Sequence, residues 1–520
     1  MLTMNNLKYR RQFLFSPVEC KRLETWQMEK NDKYFIYVHP DCPFEKSSGL
    51  YDLYLIGYIL NPHAPGETSK QILDDLSNLK DINDFPKRLY SLTGRFVLII
   101  KTGDDFIFFH DACGLRTVYY TKEEDHFYAA SQPLLINEVI PLKKTRAYEE
   151  YFNSEYVATV REHYLPSGVT LYENVFHLVP NHYVKVSEFE QKRYYPFQEL
   201  KRRDYSEGVI EFSTLLKKII SVAHNHMDLA FSLTAGWDSR IILSGCKDIA
   251  PDIGFYTLKY RNMSDKHMDI RIPISLSKSL NLNFNIWDCQ KSITPEFAEI
   301  YRGNTDMAHM NDWGEIAFGM SKIYPPGKVA VKGSCSEIGR CACYPDGKHK
   351  AHLTENDFLQ MEKGWEELDF IREEIRKWRE SIKGNSFNYL LLDLFYWEHR
   401  MGGWQAQSQL EWDIVQEVFT PFNSRELFDI MLGIDPLKRK CEKPSLYIDT
   451  MKYLWSDVLA EPVNPYTFKR RVRIFVYDIM SYTGLLKMHQ AAKKKKNEAK
   501  GKIVCDGKLT LRKPIGGKCP

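Results

Sequence analysis

Phe231-Ser-Leu-Thr-Ala-Gly-Trp-Asp-Ser-Arg240 is the stretch that decides the fold. An apolar strand, Leu229 to Leu233, runs out into a turn of small residues, and a helix is expected from about Ser239. Asp238 and Ser239 have side chains suited to a helix start. Backbone N–H groups and the positive end of the helix would then face one point, which makes the turn a phosphate site. No Gly-Lys-Ser/Thr follows, so the Walker A loop is excluded. The competing reading is a glycine turn between strand and helix with Asp238 as a plain cap.

Upstream, Val209 to Ala223 carries apolar residues at helical spacing (Val209, Ile210, Phe212, Leu215, Leu216, Ile219, Ile220). Downstream, a second strand is expected over Ile253 to Leu258, within one crossover length of the first. The unit is βαβ, so this sheet should be parallel. Before about residue 195 the texture differs. Leu53 to Leu60 and Arg95 to Ile100 read as strands, and Asp104-Asp105 before Phe106-Ile-Phe-Phe109 as a hairpin turn, which suggests a mostly antiparallel, two-layer α+β region. From about 355 to 520 the chain should be mainly helical, with Phe387 to Trp404 and Arg425 to Leu432 the clearest helices. No internal repeat is present.

A chain of 520 residues is too long for one hydrophobic core, so two or three domains are expected. The 71 basic and 68 acidic residues are interleaved and leave a net charge of +3, which argues against a nucleic-acid partner. The basic run from Lys493 to Lys496, with Lys500 and Lys502, reads as a solvated tail. Eleven cysteines without the spacing of a secreted disulfide scaffold point to a reducing, cytoplasmic setting. Phe13-Leu14-Phe15 is too short an apolar run for a signal peptide, and no stretch suits a membrane helix.

The turn resembles the pyrophosphate-binding Ser-Gly-Gly-x-Asp-Ser loop of the PP-loop ATP pyrophosphatases. Ser232, Thr234, Ala235, Gly236, Asp238 and Ser239 hold its places, with Ala235 replacing one glycine. Further segments resemble the asparagine synthetase-like family in order along most of the chain. Leu55-Ile-Gly-Tyr-Ile-Leu-Asn61, Gly94-Arg-Phe96, Phe109-His-Asp-Ala-Cys-Gly-Leu-Arg116 and Tyr119-Tyr120 are similar to its glutaminase-like domain. Tyr164 to Tyr172 and Leu178 to Tyr183 are similar to the exit from that domain. Phe255-Tyr-Thr-Leu258 resembles the second strand, and Asp265 and Asp269 the acids leading its helix, with Pro273 where alanine is usual. Gly333-Ser-Cys-Ser-Glu337 stands where the family has a second pyrophosphate and magnesium loop, its usual Asp-Glu pair reduced to Glu337 and Ile338. Glu398-His-Arg400, Glu411 and Pro421-Phe422 with Arg425 resemble segments that shape the carboxylate-substrate side. Lys469, after Pro462 and Pro465, lies where the family has its catalytic lysine.

The resemblance implies a fold and a set of roles. Residues 1–200 would form an Ntn-hydrolase-like α+β domain of antiparallel sheets. Residues 201–520 would form an α/β PP-loop synthetase domain with a parallel sheet and a mainly helical C-terminal part. ATP and Mg2+ would be the cofactors. Ser232, Thr234, Ala235, Gly236 and Ser239 would hold pyrophosphate with Gly333 and Ser334, Thr257 and Leu258 would contact adenine, and Asp238 and Glu337 would hold magnesium. Lys469 and Glu337 are the expected catalytic residues.

Family glutaminases use a cysteine at position 2, whereas this sequence begins Met1-Leu2-Thr3-Met4 and its first cysteine is Cys20. The N-terminal domain is therefore expected to be inactive, as in the β-lactam synthetases and lasso-peptide cyclases that this arrangement resembles. The expected activity is an AMP-forming amide ligase. It would adenylate a small-molecule or peptide carboxylate and pass it to an amine or to ammonia, with a separate ammonia donor as one source. The alternatives are a non-catalytic nucleotide-binding scaffold and a sulfur-inserting PP-loop enzyme with Cys335 near the nucleotide. Cys335, Cys341 and Cys343 lack the paired-knuckle spacing of a structural zinc site. Oligomeric state is left open.

Overall fold

The structure is a computed structural model that describes residues 4–31, 33–309 and 313–465. Lys469 and the basic run from Lys493 lie outside the described residues. Chain contacts divide the protein into two units, Met1–Val463 and Asn464–Pro520. Of the second, only Asn464 and Pro465 are described.

The N-terminal half folds into two six-stranded sheets, antiparallel as expected. One contains Phe13–Ser16, Gln27–Lys30, Phe35–Val38, Tyr119–Glu123, His126–Ala130 and Val175–His177. The other contains Phe44–Ser48, Asp52–Leu60, Thr93–Thr102, Asp105–His110, His182–Lys185 and Glu190–Arg193. Alternation decides how they stack, because successive side chains of a strand point to opposite faces. From the second sheet, Tyr54, Ile56, Val97, Ile99, Phe106 and Phe108 meet Phe13, Phe15, Ile36, Val38 and Phe127 of the first. Phe15 sits centrally, its ring 5.2 Å and 5.1 Å from those of Phe106 and Phe108. Leu53, Leu55, Leu98 and Ile100 point the other way, towards Ile72, Leu73 and Leu76 of helix Ser69–Ser77. Burial on both faces explains why these strands read as continuous apolar runs. The hairpin turns at Gly103, with φ of 59°, and Asp104.

Beyond the helix Tyr205–His226, capped by Asp204 on the amides of Ser206 and Glu207, the second half forms a five-stranded parallel sheet. Its order is Phe284–Asp288, Gly254–Lys259, Leu229–Ser232, Val329–Val331, Glu417–Phe419. The chain starts at Leu229–Ser232, adds two strands on one side, then returns to add two on the other. A topological switch point therefore lies between Leu229–Ser232 and Val329–Val331. In doubly wound sheets ligands bind in the crevice outside the carboxyl ends of the strands at such a point.

Two expectations are corrected here. The helix expected from Phe387 begins at Leu391, because Phe387 and Asn388 have φ of 46° and 63°. It then runs through a π-helical segment, Tyr396–Gln405, into Ala406–Trp412. The C-terminal region also contributes the edge strand Glu417–Phe419, too short to stand out among helices. The two halves are joined by buried polar contacts. Tyr58 Oη donates to Val418 O at 2.7 Å, and Asn423 Nδ2 to Gly94 O at 2.7 Å and to Asp111 at 2.8 Å. No described helix is long and apolar enough to cross a membrane.

Candidate nucleotide site

Two loops leave the strands that flank the switch point and meet. The first follows Leu229–Ser232. Its helix is Trp237–Gly245 with Gly236 at the N-cap, two residues earlier than expected, so Asp238 and Ser239 stand in the first turn and neither is the cap. Ser239 instead ties the loop to itself, accepting from Thr234 N at 3.1 Å and meeting Thr234 Oγ1 at 2.9 Å. Gly236 N donates to Thr234 Oγ1 at 3.1 Å and Ala235 N to Asp269 Oδ1 at 3.1 Å. Three loop amides are thus internally satisfied. Those of Trp237, Asp238 and Ser239 fall in the first turn, outside the helical ladder, and are the donors an anion would meet. Ser232 is half-buried at the mouth of the turn. Thr257 is buried, its hydroxyl donating to Leu233 O and, at 3.3 Å, to Asp269 O. Only its backbone is left to face a base, and Leu258 beside it is half-buried.

The second loop follows Val329–Val331. A Cβ on Gly333 would lie 2.6 Å from Asp238 Cβ and 2.8 Å from its carbonyl carbon, so only glycine allows this approach. Ser334 is half-buried next to it, and Cys335, with φ of 70°, turns the chain into the short 3-10 helix Ser336–Arg340. Ser336 Oγ donates to Asp238 Oδ1, and Tyr447 Oη donates to Ser336 O at 2.9 Å. Arg340 Nη2 lies 2.8 Å from the same Asp238 oxygen and 4.0 Å from Glu337 Oε1.

Asp238 and Glu337 therefore converge on one guanidinium. Burial, followed by the negative charge of Asp238, pushes the Glu337 carboxyl up to about 7, with Arg340 opposing. Its Oε2 is buried without a hydrogen-bond partner. Among the described residues no three His, Cys, Asp or Glu side chains form a metal cluster. The pair fits magnesium, which binds through one or two carboxylates and completes its shell with water and substrate phosphates.

A raised carboxyl pKa has a stability consequence. Below the unfolded value near 4.5 the group is neutral in both states; as pH rises from there to about 7 the unfolded chain ionises first and the fold loses stability, the loss being complete above that value. Glu337→Gln should raise the thermal unfolding midpoint at pH 8 and leave it nearly unchanged at about pH 4, below the unfolded value, as read by calorimetry at both pH values.

Arg340 and Tyr447 were not singled out in the sequence. A signal for Arg340 existed, since it follows Glu337 by three residues, the spacing at which side chains of a 3-10 turn eclipse.

Other expected site residues go elsewhere. Glu398 pairs with Arg193 at 2.6 Å and 2.8 Å, and also accepts from Trp378 Nε1 at 2.6 Å and Asn181 at 3.0 Å. Burial alone would raise its carboxyl, but the Arg193 charge and these hydrogen bonds bring it down to about 2. Arg400 lies over the rings of Trp404 and Tyr164, at 4.2 Å and 4.7 Å. Glu411 accepts from the backbone N of His309 at 2.6 Å and meets its Nδ1 at 2.9 Å, and Arg425 Nε donates to Asn181 at 3.1 Å. Glu398, Glu411 and Arg425 brace the interior, whereas Arg400 is only half-buried and its charge lowers the Glu337 carboxyl.

Cys20 is buried after the strand Phe13–Ser16, its thiol pushed up by burial. Trimming the chain to Cys20 would remove that strand, which pairs with both Phe35–Val38 and His126–Ala130. Cys335 is buried too, its thiol raised well above the ordinary value by burial and by neighbouring Cys113.

The architecture is thus a pair of antiparallel sheets joined to a doubly wound parallel sheet, with two loops in contact at the switch point. No protein-family model matches the chain, and no curated protein does. Among solved structures it is similar to a glutamine phosphoribosylpyrophosphate amidotransferase from B. subtilis complexed with ADP and GMP. That match has 10% identity and a TM-score of 0.23, over 55% of this chain and 61% of that one. A structure of the allosteric regulatory enzyme of purine biosynthesis matches with 12% identity and a TM-score of 0.24, over 51% and 62% of the two chains. The chain spans less than two thirds of either. Likeness at this level defines neither an activity nor site residues for this protein.

Proposed function

We propose that the protein is an ATP- and magnesium-dependent, AMP-forming ligase. It adenylates a carboxylate and joins it to an amine or ammonia, in the manner of the asparagine synthetase-like family that the sequence resembles. The observation that carries the reading is the contact of Gly333 with Asp238, which puts a phosphate-type helix start and a second acidic loop together at the switch point. In this reading the first-turn amides with Ser232, Gly236 and Ser239 receive the β,γ-pyrophosphate, while Gly333 and Ser334 close over it. Asp238 and Glu337 hold magnesium, and Thr257 and Leu258 offer backbone to adenine. Magnesium, when bound, neutralises charge that builds up as pyrophosphate leaves. Lys469, to which the family resemblance assigns the adenylation step, lies outside the described residues.

In this reading the buried Cys20 is not a glutaminase nucleophile, and ammonia or the amine comes from solution, a partner protein or the substrate itself. The reading places the protein in an ATP-containing, cytoplasmic setting with neither nucleic acid nor membrane as partner. Arg340 lying on Asp238 gives some support to a second reading, a nucleotide-binding scaffold without turnover. The buried Cys335 gives none to sulfur insertion, which needs an accessible thiolate.

The test is pyrophosphate release from ATP and Mg2+ by the full chain, alone and with fractionated carboxylate-containing metabolites. Release that requires one fraction, with AMP formed in equal amount, is the expected result. ATP binding without release from any fraction would replace the ligase by the scaffold.

A further inference from the structure

We propose that Arg340 is the polyphosphate-binding cation of this site, paired with Asp238 until nucleotide enters and then transferred to the β,γ-phosphates as Asp238 passes to magnesium. The proposal rests on the nucleotide-binding reading above and adds to it a residue and a sequence of contacts.

Arg340 is 7% exposed, yet its guanidinium is only partly satisfied. Nη2 is 2.8 Å from Asp238 Oδ1, whereas Nε is buried with no hydrogen-bond partner among the described residues. Glu337 Oε2, one turn away, is likewise buried without a partner. A buried donor and a buried acceptor left open on one short helix are costly features unless a ligand completes them. The open donor suits a phosphate oxygen and the open acceptor a metal ion. Magnesium nucleotide offers both together.

Charge points the same way. Asp238 and Glu337 are the two carboxylates that Arg340 faces, and Asp269 adds a third at the amide of Ala235. Two acids and no cation would repel a nucleotide tetra-anion until the metal arrived. Arg340 between them offsets part of that charge before binding, and an arginine fork is well matched to phosphate oxygens. The face of Tyr447, with its centroid 5.8 Å from the guanidinium, gives the side chain an aromatic surface beside which to turn. The backbone need not move, since Gly333 and Cys335 already fix the loop against Asp238.

Binding of ATP, inorganic pyrophosphate and AMP to the full chain tests this, by titration calorimetry with Mg2+ and with EDTA, for wild type, Arg340→Met and Arg340→Lys. Arg340→Met should weaken ATP and pyrophosphate at least tenfold, with and without Mg2+, and leave AMP within twofold. Arg340→Lys, retaining charge without the fork, should fall between. Unchanged AMP binding shows that the variant is folded, and a purely structural role would not alter the ratio of ATP to AMP affinity. If wild type binds ATP and Arg340→Met binds it equally well, or loses ATP and AMP alike, the role of Arg340 is overturned while the nucleotide site stands. If wild type binds none of the three ligands, the nucleotide reading falls and this proposal with it.

Discussion

Asp238→Ala should lower carboxylate-dependent pyrophosphate release at least about a hundredfold while costing little stability, since a carboxylate that positions magnesium acts mainly on the charge developing in the transition state. Asp238 accepts from Ser336, pairs with Arg340 and repels Glu337. Removing it loses the first two interactions but relieves the third. Arg340 can then approach Glu337, now 4.0 Å away, and the Glu337 carboxyl should fall back towards the ordinary range. Asp238→Asn keeps the hydrogen-bond shape without the charge, and should be nearly as inactive. Turnover and unfolding midpoint measured side by side decide the matter. Parallel losses of both would make Asp238 a structural residue.

The strand–turn–helix unit was legible because its signals are local. A β-run, small residues, an acid and a hydroxyl within ten positions force a strand to stop and a helix to start. The boundary was misjudged by two residues because Asp238 and Ser239 are good caps in isolation. In the fold Gly236 is the cap, freeing Asp238 for Ser336 and Arg340, both far along the chain. That pairing depends on which strand lies beside Leu229–Ser232, and strand order is not written in either loop.

The same limit applies to the helical segments. Glu398 and Arg400 sit two apart on one helix, a spacing that does not bring side chains together, and the partner of Glu398 is Arg193 on a strand of the other half. Phe387 and Asn388 look helical by composition, but their positive φ angles leave them outside the helix. The antiparallel strands were easier, because runs such as Arg95 to Ile100 are apolar on both faces whichever neighbour covers them.

The interior between the two halves should be the most sensitive part of the molecule. Arg95, on Thr93–Thr102, makes two contacts to Asp413 at 2.5 Å and 2.6 Å and one to Glu417 at 2.8 Å, with its Nε donating to Leu115 O at 3.1 Å. Arg116 reaches Glu417 at 3.0 Å. Arg95 and Asp413 are nearly inaccessible. Arg95→Met would leave Asp413 without its cationic partner, and breaking one side of such a buried pair costs about 3–5 kcal/mol. The expected result is a large loss in the urea unfolding midpoint. Replacing Asp413 by leucine as well should recover much of it, because the desolvation penalty disappears with the charge. Glu417 begins the edge strand next to Val329–Val331, the strand that leads into Gly333. The Arg95 variant should therefore weaken ATP binding although Arg95 belongs to the other half. Unaltered ATP affinity in the folded variant would mean that the antiparallel half supports stability but does not position the nucleotide loops.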